Sequence, residues 1–361
     1  MTESGRWALP PLAPGEFAPE FATASRTNAR FHFSTLAGRY VLLAFMPRDP
    51  VRRAAALAAF ATVRALFDDV QLTAVFMATE PDARETTLDL IPGQRWFFDP
   101  ANAVGPKYRS GEADPAWLLF DPSLRLLART PIESPADLFA SLGQLPPVGA
   151  HGGLPMVAPV LILPRVFEPE FCRRLIDYYE ARGGAVSGVM RDVDGRTVGV
   201  LDNMKRRRDL QIAEPELRRE VIGRLERGLM PMIGRTFQFR ATRIERYLIA
   251  CYDAVEGGYF QAHRDNETLG TAHRRFAVSI NLNAEEFEGG DLRFPEFGPR
   301  TYRPPTGGAV VFCCSLQHEA RPVTRGRRYA FLPFLYDEAG ERIREQNRAF
   351  MAGPGAVVDN R

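Results

Sequence analysis

The stretch GYFQAHRDNETLG, residues 258–270, sets His263 and Asp265 two positions apart among glycines and aromatic residues. On an extended segment, residues i and i+2 point to the same face, so an imidazole and a carboxylate there can reach one ion. A neutral imidazole with a carboxylate suits a divalent transition metal. Taken alone, the triplet reads more simply as a polar pair hydrogen-bonded at a strand end. His318 and Arg328, fifty-five and sixty-five residues after His263, change the balance. The segment GGAVVFCCSLQHEARPVTRGRRYAF (307–331) reads as a strand, then His318, a turn at Thr324–Gly326 and a second strand opening on Arg328-Tyr329. Two histidines and one carboxylate occupy three corners of an octahedron and leave three open. An arginine beside them can grip a carboxylate with its two-pronged donor fork.

Composition narrows the field around these residues. At 361 residues the chain is too long for one average core, so two domains are expected. Its 45% hydrophobic and 25% charged content is that of an ordinary globular protein, and a net charge of +2 points to neither nucleic acid nor an anionic membrane as partner. The only lysines are Lys107 and Lys205, which removes a phosphate-loop Gly-Lys-Ser/Thr and any good Schiff-base candidate. The four cysteines, Cys172, Cys251, Cys313 and Cys314, form no Cys-x-x-Cys and suggest neither a disulfide nor a zinc framework. The N-terminus has no apolar core of signal-peptide length, and the apolar segments RYVLLAFM and MVAPVLILP fall far short of the roughly 20 residues that span a bilayer. A reducing, cytoplasmic setting is expected.

The elements that must position these residues follow from periodicity. YVLLAFM (40–46) and QLTAVFM (71–77) read as buried strands, with Leu57, Phe60, Val63 and Phe67 at helical spacing between them. AWLLFDPSLRLLAR (116–129) reads as a hairpin turning at Asp121-Pro122-Ser123. This order predicts a small α/β domain with a central sheet. The Pro- and Gly-dense segment 142–158 has no period and reads as a linker. Helices are expected from about Glu168, with Pro169 in the first turn, and from about Pro215. From 237 to 338 short strands and turns predict an all-β sandwich or barrel flanked by helices.

Residues 157–340 resemble the prolyl 4-hydroxylase type of Fe(II)/2-oxoglutarate dioxygenase. The resemblance rests on ACY…GGYFQAHRDN, the AVSINLN strand, FEGGDLRFP, GGAVVF, the H…PVTRG.RY segment and the preceding helix EPEFCRRLIDYYEA. It implies a double-stranded β-helix (jelly roll) with flanking helices. It implies His263, Asp265 and His318 as iron ligands and Arg328 on the distal carboxylate of 2-oxoglutarate. Tyr252 stands where this family often places a tyrosine near the co-substrate, although a core aromatic is nearly as good a reading. Arg208, Tyr259 and Asn266 are weaker candidates for facing the substrate. The implied reaction is hydroxylation of an unactivated C–H bond with O2, releasing succinate and CO2, with L-ascorbate as an accessory reductant. Halogenating relatives carry a small residue at the carboxylate position, and Asp265 fills it. The substrate is expected to be a protein or peptide side chain, with a small molecule or free amino acid as the alternative; a homodimer is left open. A non-catalytic two-domain scaffold is the contrasting reading. Pro333 departs from a regular closing strand and predicts a bulge or edge there.

The first part of the chain is similar to peroxiredoxins, thioredoxin-fold thiol peroxidases. PGEFAPEFATAS, LAGRYVLLAFMP, FFDPANAVGPKY and PAWLLFDPSLRLLA occur in that family's order. Pro47 keeps its place, but Val51 and Ala54 stand where the family has Thr or Ser and the peroxidatic cysteine. Neither side chain can supply a thiolate. The expected layout is therefore a redox-silent thioredoxin-like domain at 1–148, a linker at 149–156 and the dioxygenase domain at 157–361.

Other chemistry-bearing residues carry plainer expectations. His273, in a polar loop, is expected to be solvated or at most substrate-facing. MKRRRDL (204–210) is expected to be a solvated loop. One of Cys313 and Cys314 is expected in the core as a small hydrophobe, and AEEFEGGD (284–291) as a turn between strands.

Overall fold

A computed structural model of the protein describes residues 11–28, 30–80, 82–111, 114–193, 195–351 and 357–359. The chain divides into two compact units, residues 1–157 with 295–299 and residues 158–294 with 300–361.

The first unit is built on a seven-stranded sheet. In spatial order its strands are Phe31–His32, Ala22–Ser25, Gln94–Phe98, Leu72–Ala78, Tyr40–Phe45, Ala116–Phe120 and Leu126–Pro131. Tyr40–Phe45, Leu72–Ala78 and Gln94–Phe98 run parallel, and Ala116–Phe120 and Leu126–Pro131 close one side antiparallel. The two central strands are buried throughout, which is why they read as continuous apolar runs rather than alternating ones. Alternation still sorts their side chains. Leu42, Ala44 and Phe76 meet Phe60, Leu138 and Phe139 of the helices Pro50–Ala61 and Ala136–Leu142. Val41, Leu43 and Val75 face Phe33, Tyr108 and Phe120 on the other side. At the hairpin, the Asp121 carboxylate accepts hydrogen bonds from the Ser123 and Arg125 amides at 2.8 and 2.9 Å, so an Asx turn reverses the chain where expected.

The helix Pro50–Ala61 is capped by Asp49, whose side chain accepts from the Arg52 amide at 2.8 Å. Val51 and Ala54 are both exposed in its first turns. All four cysteines fall in the second unit, and all are free.

The second unit sets a large sheet against a small one. In the large sheet Phe276–Asn281, Arg327–Phe331, Leu248–Asp253 and Arg208–Gln211 are successive antiparallel neighbours, and Ala309–Cys313 also pairs with Phe276–Asn281. The small sheet runs Lys205–Arg206, Tyr259–His263, His318–Ala320, Leu292–Arg293, Thr301–Tyr302. One face of the large sheet is covered by Pro169–Arg182 and Pro215–Gly228, each with proline in its first turn, through Leu175, Ile176, Val221 and Leu225 packed on Ile249, Val278, Val311 and Phe331. The opposite face is left for the site. The strand ending at Phe331 breaks at Leu332-Pro333 and resumes at Phe334, with the Pro333 carbonyl accepting from the Val278 amide at 3.1 Å. Proline thus interrupts the ladder while keeping its acceptor in use. No helix among the described residues is long and apolar enough to cross a membrane.

Candidate metal centre

His263 and His318 are directly opposed partners on neighbouring antiparallel strands of the small sheet. Cross-strand pairing brings their rings side by side, centroids 4.3 Å apart. Asp265 follows the first strand and is anchored by its own amide, which donates to the Cys314 carbonyl at 2.9 Å. Its carboxylate lies 3.6 Å from Nε2 of His263 and 3.3 Å from Nε2 of His318. With metal–ligand bonds of about 2.1 Å, adjacent corners of an octahedron are about 3 Å apart. The three side chains therefore stand close to the separations one ion demands, and all their ligand atoms fall within 4.8 Å of one another.

The protons are placed for ligation as well. His263 Nδ1 lies 2.7 Å from the Gln261 carbonyl and His318 Nδ1 lies 3.0 Å from that of Leu316. A carbonyl can only accept, so each Nδ1 carries the hydrogen and each Nε2 keeps its lone pair facing Asp265. Burial, with His318 beside it, pushes the His263 imidazole down to about 4, so it is neutral at pH 7. Burial raises Asp265, but the adjacent histidines outweigh it and hold the carboxyl well below its ordinary range. A neutral imidazole and an ionised carboxylate are the states a divalent cation takes.

Across the cavity, on the large sheet, Tyr252 and Arg328 form a second opposed pair. Both are buried. Arg328 donates to Ser279 Oγ at 2.9 Å and to Asn281 Oδ1 at 3.3 Å, and among the described residues no carboxylate pairs with it. Burial, its largest influence, lowers its guanidinium from the ordinary value. Gly290 makes room for its stem: at φ +70°, a Cβ there would stand 3.2 Å from Arg328 Cδ and 2.9 Å from Val323 Cγ2. A buried guanidinium without a counter-charge is costly, and it is the kind of group that a bound carboxylate satisfies. The Tyr252 ring lies between two such groups, 5.2 Å from Arg328 and 5.6 Å from Arg207, and its hydroxyl accepts from Arg207 at 3.2 Å.

His263, Asp265, His318, Tyr252 and Arg328 all line one cavity. The weaker candidates do not. Arg208 is exposed and paired with Glu256 at 2.9 Å. Tyr259 turns away and donates to the Asn203 carbonyl at 2.6 Å. Asn266 is half-buried beside the triad but outside the cavity lining. Two local features explain the differences. The Tyr259–His263 strand carries an irregularity in register between Phe260 and His263. Strict alternation would group Tyr259 with His263; the shift instead brings in Phe260, stacked on His263 at 3.5 Å between centroids. MKRRRDL, expected as a solvated loop, is two short strands, Lys205–Arg206 in the small sheet and Arg208–Gln211 in the large one. Lys205, Arg207 and Asp209 are turned inward there, with Arg207 Nε and Nη2 each 2.6 Å from the Asp209 carboxylate. Period-two alternation of those three residues was the available signal. His273, expected as solvated, is buried instead, 3.0 Å from the Glu245 carboxylate and edge-on to Tyr336. Of the neighbours Cys313 and Cys314, Cys314 is the fully buried one.

The 2OG-Fe(II) oxygenase superfamily model matches residues 247–336, the segment that holds the triad and Arg328. A PKHD-type hydroxylase of Synechococcus sp. (strain JA-2-3B'a(2-13)) is 29% identical over 123 residues, covering 32% of this chain and 51% of that protein. A PKHD-type hydroxylase of Pseudomonas fluorescens (strain Pf0-1) is 26% identical, covering 55% of this chain and 86% of that protein. A Trichoplax adhaerens prolyl hydroxylase, solved with a hypoxia inducible factor oxygen degradation domain peptide fragment, superposes with a TM-score of 0.42 at 19% identity, covering 52% of this chain and 86% of that one. The chain spans about half the length of the first of these relatives. The C-terminal region of this chain is thus similar to the 2OG-Fe(II) oxygenase superfamily, and the curated proteins it resembles there are PKHD-type hydroxylases.

Proposed function

We propose that the protein is an Fe(II)- and 2-oxoglutarate-dependent hydroxylase acting on an unactivated C–H bond, with release of succinate and CO2. One observation carries the reading: a two-His-one-carboxylate set shares a cavity with a buried guanidinium that has no carboxylate partner among the described residues. His263, Asp265 and His318 would hold Fe(II), and Arg328 the distal carboxylate of 2-oxoglutarate, with Tyr252 alongside. Bound there, metal and co-substrate supply the dioxygen chemistry that oxidises carbon, and L-ascorbate would serve as an accessory reductant. The chain supplies the rest. The Gln261 and Leu316 carbonyls hold the proton on each Nδ1. Phe260, Leu292, Phe312 and Leu332 line the cavity with apolar surface that keeps water from the reacting carbon.

The opposed antiparallel sheets of the second unit support its reading as a double-stranded β-helix. The seven-stranded sheet of the first unit, with its parallel centre and antiparallel hairpin, supports a thioredoxin-like domain. With no thiol at Ala54, that domain would be redox-silent and serve docking, dimerisation or substrate capture. The free cysteines fit a reducing compartment such as the cytoplasm. PKHD-type relatives favour a prolyl or related side chain as substrate. The test is succinate formation by the full chain with Fe(II), 2-oxoglutarate and oxygen. Turnover should vanish in His263→Ala; turnover at background, or insensitive to that change, would overturn the proposal.

A further inference from the structure

Two guanidiniums in the cavity, not one, lack a carboxylate partner among the described residues. Among the described residues, the carboxylates that act on these two arginines already have partners; Asp291, near Arg328, is paired with Arg303 at 2.5 Å. Asp209 takes Nε and Nη2 of Arg207, each at 2.6 Å. Glu245 takes Arg274 at 2.6 Å through each oxygen. Asp265 faces the two histidines. Arg328 and Arg246 are left over, and both line the cavity.

Arg246 is held in place by neutral groups. Its Nε donates to the Leu332 carbonyl at 2.9 Å, and its guanidinium lies over the Phe334 ring, 4.1 Å from the centroid. Its two terminal nitrogens make no hydrogen bond among the described residues, and the side chain lines the cavity. The fork is therefore oriented and its donors are open. Burial, with Arg274 and Arg207 close by, outweighs the Glu245 and Asp209 carboxylates and lowers its pKa to about 10, which leaves it charged at neutral pH.

A single 2-oxoglutarate does not use both arginines. In the reading proposed above, on which this inference rests, its distal carboxylate goes to Arg328 and its keto-acid end to the metal. We propose that Arg246 binds a carboxylate of the substrate itself, so that the enzyme selects a compound with a free carboxylate near the carbon it oxidises: a free amino acid or the C-terminal residue of a peptide. An oriented guanidinium next to aromatic and aliphatic walls suits such a compact anion, because a bidentate carboxylate contact fixes both position and orientation. A residue within a polypeptide, whose carbonyl is an amide, leaves Arg246 unsatisfied.

The test uses the full chain loaded anaerobically with Fe(II) and 2-oxoglutarate, reading the metal-to-ligand charge-transfer band. Absence of that band in the wild type would overturn the functional reading; its presence isolates the question of Arg246. L-Proline and glycylglycylproline are titrated beside their C-terminal amides. The acids should perturb the band saturably and the amides should not, and the two acids separate a free amino acid from a chain end. Arg246→Gln should weaken the acid response about tenfold or more, as expected for losing a charge-assisted contact, with an unchanged 2-oxoglutarate titration. Arg246→Lys, which keeps the charge but loses the fork, should fall between. The proposal fails if acids and amides behave alike, if neither perturbs the band, or if Arg246→Gln loses affinity for 2-oxoglutarate instead.

Discussion

Replacing Arg328 by methionine separates a residue that supports the fold from one that waits for a ligand. Arg328 is 2% exposed, and its hydrogen bonds run to neutral atoms, one at 2.9 Å to Ser279 and two at 3.3 Å to Asn281. Burying a cation without a counter-charge costs several kcal/mol. One good and two long bonds from a charged donor return a comparable amount, at about 1.5–3 kcal/mol for a well-made bond and less for a stretched one. The terms nearly cancel, so Arg328→Met should leave the stability of the metal-free chain within about 1 kcal/mol of wild type. Co-substrate binding should respond very differently. Removing one partner of a buried charge pair costs about 2–5 kcal/mol, which corresponds to about 30-fold to about 4,000-fold in Kd. Urea unfolding of the metal-free protein and anaerobic titration of the Fe(II) form with 2-oxoglutarate measure the two effects. Wild-type affinity in the variant would refute the reasoning. So would a stability loss of about 3–5 kcal/mol, the signature of breaking a completed buried pair.

Acid should weaken the second unit through its paired carboxylates. Burial raises Asp209, but Arg207 and Lys205 outweigh it and bring the carboxyl down to about 2; Glu245 is likewise lowered, by Arg274 and His273 against the effect of burial. A depressed folded-state pKa contributes stability in full above the unfolded value near pH 4, and that contribution is lost as pH falls through the folded value. Urea midpoints should therefore drop steeply from pH 4 towards pH 2, and Asp209→Asn should show a shallower slope; parallel slopes would disprove the assignment. The full chain should also show no thiol-dependent peroxide reduction in a coupled assay, since Ala54 offers no sulfur; activity at that position's expected rate class would overturn the redox-silent reading of the first unit.

Chemistry confined to rare residue types was the most legible part of this chain. With five histidines in 361 residues, His263 and His318 stand out, and Asp265 and Arg328 follow from spacing. The helices at Pro169 and Pro215 and the hairpin turn at Asp121 are written in local signals, and each forms where those signals fall. What escaped depends on pairing between distant strands. The register shift that exchanges Tyr259 for Phe260 exists only against His318–Ala320. The inward turn of Arg207 requires the chain to pass from one sheet to the other between Arg206 and Arg208. His273 is buried because Glu245, twenty-eight residues earlier, meets it. No window around any of these residues contains its partner.

The two carbonyls that hold the histidine protons have an evolutionary consequence. Each belongs to the residue two places before its histidine, Gln261 for His263 and Leu316 for His318. Every amino acid brings a carbonyl, so no substitution at 261 or 316 can delete the acceptor. Metal sites that rely on a carboxylate side chain for this task can lose it in a single mutation. Here the proton arrangement is set by the path of the main chain, whichever side chains stand at 261 and 316.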